Sequence, residues 1–221
     1  MENSSIKEIW KKNEILLDES RKLNVSILKD VKLDKAKSAL NNLLFLPIST
    51  MAFFILVAAY ALLFMVNNLE TWYFWFSGAV VTFFALLYIF SSFRQLKLIL
   101  SINYNSSIVT LQKKLAKIKT SVVFNLKIAA WLIPFGPFVG LFFIKALFNL
   151  DLVSMISYDI IIAFGVITIL LEILSLVLLR ALRPKNINKK WLNWLIAGSG
   201  SQVDEALNFL NQIKTFENEE K

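Results

Sequence analysis

"SSFRQLKLILSINYNSSIVTLQKKLAKIKT", Ser91 to Thr120, holds Arg94, Lys97, Lys113, Lys114, Lys117 and Lys119 and no acidic residue. Long apolar blocks flank it on both sides. A purely basic segment between two such blocks is the pattern of a connection held on one side of a membrane by its charge. Inside the stretch, Ile108, Leu111, Leu115, Ile118 and Val122 recur at steps of three and four, with Lys113, Lys114, Lys117 and Lys119 off that seam. Leu96, Ile99 and Leu100 line a second arm, and Asn103 to Ser107 has turn composition. The spacing predicts a helical hairpin that prolongs the flanking blocks. Its lack of acids leaves a second arrangement open, a pair of helices lying flat on an anionic leaflet.

Working outward, four blocks are long enough to cross a bilayer, which takes roughly 20 residues. They are Leu43–Val66, Trp72–Phe90, Ile128–Ile144 and Ile160–Leu179. The chain of 221 residues is 57% hydrophobic with a mean hydropathy of +0.60, and the excess is concentrated in those blocks. The first block begins only at Leu43 and has no small-residue cleavage site after it, so it is expected to stay as an anchor rather than act as a signal peptide. The expected fold class is therefore all-α and polytopic: four transmembrane helices with amphipathic cytoplasmic helices. The division is 1–42 as an amphipathic segment, 43–90 as a first transmembrane hairpin, 91–127 as the basic hairpin, 128–179 as a second transmembrane hairpin, and 180–221 as an interfacial helix followed by a C-terminal amphipathic helix.

Lys and Arg sort the sides. Residues 1–42 hold nine, Asn67–Thr71 none, 91–121 six, Ala146–Asp159 none, and 180–221 seven. Positive-inside then puts both termini and the basic hairpin in the cytoplasm. Glu70, Asp151 and Asp159 fall to the outer connections, with Trp72, Tyr73 and Trp75 at the outer aromatic belt. The net charge of +8 would also suit nucleic acid, but in so hydrophobic a chain membrane lipids account for it more directly, and no specific nucleic-acid partner is expected.

The chemistry classes are narrow. There is no Cys and no His, which removes disulfides, thiolate zinc sites and Cys- or His-based catalysis. The acid pairs Asp18–Glu19 and Asp204–Glu205 are adjacent residues that diverge by about 100° on a helix. No catalytic residue, cofactor site or metal site is expected. Glu172 stands apart, near the middle of the fourth block, where an ionised carboxylate costs about 2.5–3.5 kcal/mol on insertion scales. Gly165, Thr168, Glu172 and Ser175 follow steps of three, four and three, the spacing of one small, polar face. The expectation is a helix–helix seam that buries Glu172, with Ser49, Thr50 or Lys127 as partner. Its role is hydrogen-bonding glue or, in the alternative, an ion or proton site. Pro134, Gly136, Pro137 and Gly140 predict a broken third span. A broken span beside an acid would suit a small transporter or channel component.

Residues 1–42 begin with a capping box, Ser5 and Glu8. Ile6, Ile9, Trp10, Leu16, Leu17 and Leu23 share one face, while the other mixes both signs of charge, so the segment is expected to pack on protein. A second helical piece from Leu33 should be kinked or restarted at Pro47. After Pro184, Trp191 and Trp194 beside Lys189 and Lys190 predict an interfacial helix. Ser201 and Asp204 open a last helix with Val203, Ala206, Leu207, Leu210 and Ile213 on one face.

The N-terminal pattern of Ile6, Ile9, Trp10, Leu23 and Asn24, followed by "LDKAKS" at Leu33–Ser38, resembles a family of short bacterial four-span inner-membrane proteins. The match lies in roughly the first forty residues; the spans agree in number and order only. Members look like products encoded beside extracytoplasmic-function sigma factors, so the resemblance implies a membrane-tethered sigma regulator. The zinc motif of one large anti-sigma class cannot exist here, because His and Cys are missing. The expected role is binding: a cytoplasmic protein partner held at the membrane. A packing subunit of a larger membrane complex is the third reading, and a homo-oligomer is a further option.

Overall fold

The computed structural model describes residues 2–104, 106–155, 157–183, 186, 189, 191 and 203–212. The fold is all-α and polytopic. Helix α1 is Glu2–Asn67, α2 Trp72–Leu100 and α3 Ile108–Leu132; a 3-10 turn, Ile133–Phe135, leads into α4, Gly136–Phe148. Then come the short α5, Leu152–Met155, and α6, Tyr158–Ala181. A last helical stretch, α7, covers 203–212. Among the described residues four helical segments are long and apolar enough to cross a membrane: 30–67, Trp72–Leu100, 109–148 across the turn, and 162–181.

One expectation about α1 is corrected. The helix does not stop or restart at Pro47; it runs on through it for 66 residues, about 100 Å at 1.5 Å per residue. Proline forbids one N–H to C=O bond, not the helical path, and Pro47 is buried against its neighbours, which hold the flanking turns in place. The break in the third span does form, because Pro134 and Pro137 fall three residues apart and their two missing donors affect consecutive turns.

Helix α2 is the centre of the bundle. Apolar attraction between helices is weak in lipid, so close packing by small residues decides which faces meet. Gly78 on α2 lies against α1 so tightly that a Cβ would sit 2.5 Å from Met65 Cγ and 3.3 Å from the Ala61 carbonyl oxygen. Ala61, Phe64, Phe74, Val81 and Phe142 join α1, α2 and α4. Val80 and Phe84 join α2 to Ile128 of α3. Helix α4 ends on Asn149, whose left-handed φ of 53° lets its N–H return to the Lys145 carbonyl at 3.0 Å.

The basic segments build a core of their own. Ala36, Ala39, Leu40 and Leu43 of α1, Ile99 of α2, Leu111, Leu115 and Ile118 of α3, and Val203, Ala206 and Leu210 of α7 pack together. The hairpin therefore extends α2 and α3, with Leu111, Leu115, Ile118 and Val122 buried. Lys119 is almost fully buried there and is paired with Asp204 at 2.8 Å, and Gln112 Nε2 donates to Asn211 Oδ1 at 2.9 Å. The expected interfacial helix around Trp194 lies outside the described residues.

Candidate functional site

Pro134 has no N–H to give the Ala130 carbonyl. That oxygen instead accepts the Ile133 N–H in a 3-10 bond and the Ser175 hydroxyl of α6 at 2.7 Å. The break in one span thus creates the acceptor that anchors the next. Helix α6 leans on α3 and on the 3-10 turn, while α4, beyond the turn, packs on α2. Between α2 and α6 this leaves a groove of about 580 Å³. Phe76, Phe83 and Phe84 form one wall, Trp131 and Phe135 the floor, and Glu172, Ser175 and Leu176 the other wall. Phe83 and Trp131 are more than half exposed.

The four polar positions of α6 are not one buried seam, and that expectation is corrected. Ser175 is buried and bridges to α3. Thr168 donates to its own helix, at the Phe164 carbonyl, 2.8 Å away. A Cβ on Gly165 would meet nothing within 4 Å. Glu172 is exposed on the groove wall and makes no hydrogen bond or ion pair with any described residue. The reason is the kink: α4 turns toward α2 and leaves α6 mainly on α3 and the 3-10 turn, so Glu172 and most of the described apolar side chains before it stay exposed. Nor does Ser49 reach Glu172; its hydroxyl donates to the Leu46 carbonyl at 3.0 Å.

The N-terminal positions form a second site. Trp10, Leu16, Leu17 and Leu23 are exposed by 75%, 51%, 71% and 62%. With Ile27 and Val31, also exposed, they cover an arc of about 140° at 100° per residue. The backbone at Ile6 and Ile9 is helical, but their side chains lie outside the described part of the structure. Cover begins only at Leu33 and Ala36, where the basic-end core starts. The preceding arm, about 45 Å long, has no described part of the chain against its apolar face.

Two polar clusters were not anticipated. Asn125 of α3 accepts from Ser91 Oγ and donates to Gln95 Oε1 at 3.2 Å, while Ser92 Oγ and Gln95 Nε2 are buried without a partner. The sequence signal was three hydroxyl or amide side chains within one turn of α2 at the edge of an apolar block. At the opposite end, Tyr73 donates to Asp151 Oδ2 at 2.7 Å, and the Val153 and Ser154 N–H groups donate to Asp151 Oδ1. Partial burial pushes the Asp151 carboxyl up, but these bonds and the Lys145 charge outweigh it and hold it below its usual 3.8.

Among the described residues no cluster of three His, Cys, Asp or Glu converges on a metal-sized space. Fold and sites define a class, an all-α polytopic membrane protein with a long apolar-faced arm and an intramembrane groove. Comparison with protein-family models, curated proteins and solved structures finds no match to the chain.

Proposed function

We propose that the protein is a membrane-anchored binding protein whose N-terminal arm holds a protein partner through an amphipathic helix. The observation that carries this reading is the arm itself. Trp10, Leu17 and Leu23 stay exposed on a helix whose next turns bury Ala36, Ala39, Leu40 and Leu43 in a core. Large apolar side chains in a contiguous stripe mark an interaction surface, and Trp is the favoured anchor of such surfaces. The opposite face carries both signs of charge, with Asp18 and Lys22 paired at 2.9 Å, which favours a protein over an anionic lipid surface. The Lys and Arg distribution supports a cytoplasmic arm. The partner is then cytoplasmic, and the resemblance of the first forty residues makes a sigma factor the first one to test.

A photo-crosslinking residue at Leu17, introduced into the full chain in cells, tests this. One discrete protein adduct is expected from Leu17 and none from Asp18 on the charged face. Equal adducts from both positions, or none from either, would refute a specific arm contact. An adduct of twice the chain mass would replace the partner by a second copy.

A further inference from the structure

We propose that the groove between α2 and α6 binds a lipophilic organic cation, a molecule with a quaternary or delocalised positive charge and apolar or aromatic substituents, which pairs with Glu172. This site lies in the spans and does not depend on the arm.

Size is the first argument. At about 580 Å³ the groove falls within the range of small-molecule sites, roughly 300–1,000 Å³. The lining is the second. Phe76, Phe83, Phe84, Trp131 and Phe135 present five aromatic rings to it, and ring faces attract cations most strongly where water is absent. Among the described residues no cation of the chain uses those rings. The described cation–ring contacts are Lys32 on Phe209, Lys37 on Tyr104 and Lys145 on Phe74, all elsewhere.

Charge decides the occupant. Among the described residues of the lining Glu172 is the one ionisable side chain, and it has no partner among them. The two hydroxyls nearest it along α6 are already committed, Thr168 to Phe164 and Ser175 to Ala130. A carboxylate at this depth, eight residues or about 12 Å from Arg180, is costly without a counter-charge. An anion would be repelled. A primary ammonium would lose its hydration against a single carboxylate and no free hydroxyl. A quaternary or delocalised cation surrenders little hydration and covers the rings with its substituents. Because Phe83 and Trp131 are exposed on the bundle surface, such a molecule enters from the hydrocarbon.

The test is equilibrium dialysis of radiolabelled tetraphenylphosphonium against the full chain in nanodiscs of zwitterionic phosphatidylcholine, with empty nanodiscs as the partition blank. One saturable site per chain is expected. Glu172→Gln should weaken it at least tenfold, Trp131→Ala several-fold, and Glu172→Asp by no more than about threefold; tetraphenylborate should show no saturable site. Absence of a saturable site on the wild type, or equal affinity in Glu172→Gln, overturns the proposal. So does a wild-type dimer, seen by mass photometry, that binds no probe and dissociates in Glu172→Gln, because the groove is then an interface between copies. Should Glu172→Gln fail to fold, Leu176→Trp fills the groove without touching the carboxylate; persistence of binding in that variant overturns the proposal.

Discussion

Ser175 shows how one hydroxyl depends on a proline in the preceding span. Its bond to the Ala130 carbonyl has value because Pro134 withholds the helical donor. Ser175→Ala should therefore destabilise the bundle by about 0.5–2 kcal/mol, the range for interhelical hydrogen bonds in lipid, read as a lower unfolding midpoint in detergent. An unchanged midpoint would mean that the Ile133 N–H alone satisfies Ala130. Asp151 is the second residue-scale case. Its folded carboxyl is held below 3.8, so its contribution is complete above that value and is lost as pH falls through the lower folded value. Tyr73→Phe removes one of the donors responsible. The variant should be less stable at neutral pH by about 0.5–1.5 kcal/mol, and the gap should narrow below pH 3.8. A gap independent of pH would detach Tyr73 from the Asp151 charge. At this scale the sequence was half legible. Glu172 stands out as a lone acid in an apolar block, but whether its face is covered depends on where α4 goes after its kink, and local spacing does not contain that.

At the scale of elements, two glycines reverse their expected roles. Spacing placed Gly165 in a seam, yet space around it is open; Gly78, which spacing did not single out, sits against α1 with no room for a Cβ. A seam between helices is set by both partners, and only one is read at a time along a sequence. Gly165→Ala should be tolerated and gain up to about 1 kcal/mol of helix propensity. Gly78→Val must push Met65 and the Ala61 carbonyl aside and should cost about 1–3 kcal/mol, as overpacking does. Thermal unfolding of the pair in one detergent distinguishes them, and equal effects of either sign would contradict the α1–α2 register. The same contrast runs along α1. Its amphipathic stripe was readable from Trp10 to Leu23 by period alone, whereas its continuity through Pro47 was not, since a proline signals a lost hydrogen bond and the neighbours decide whether the path bends.

Over the whole molecule, the basic stretch that separates the apolar blocks is also where distant parts of the chain meet. Leu111, Leu115 and Ile118 share a core with Leu40 of α1 and Val203 and Leu210 of α7, and Lys119 is buried against Asp204. The alternating distribution of Lys and Arg made the four-span fold legible, because charge and span length are read directly from residues. The joint core was not, since amphipathic helices with similar stripes pair equally well on paper, on one another or on a membrane. The core has a consequence for topology. Residues 36–43, 99, 111–118 and 203–210 meet in this one core, so they must lie on one side of the membrane together. Reporter fusions after Lys221 and within Asn103–Ser107 should therefore agree with each other, and the positive-inside rule predicts a cytoplasmic signal from both. Agreement on the outside would reverse the orientation and leave the fold intact. Disagreement between the two would break the shared core, and with it the pairing of Lys119 with Asp204, because a helix cannot pack across the bilayer from the residues that bury it.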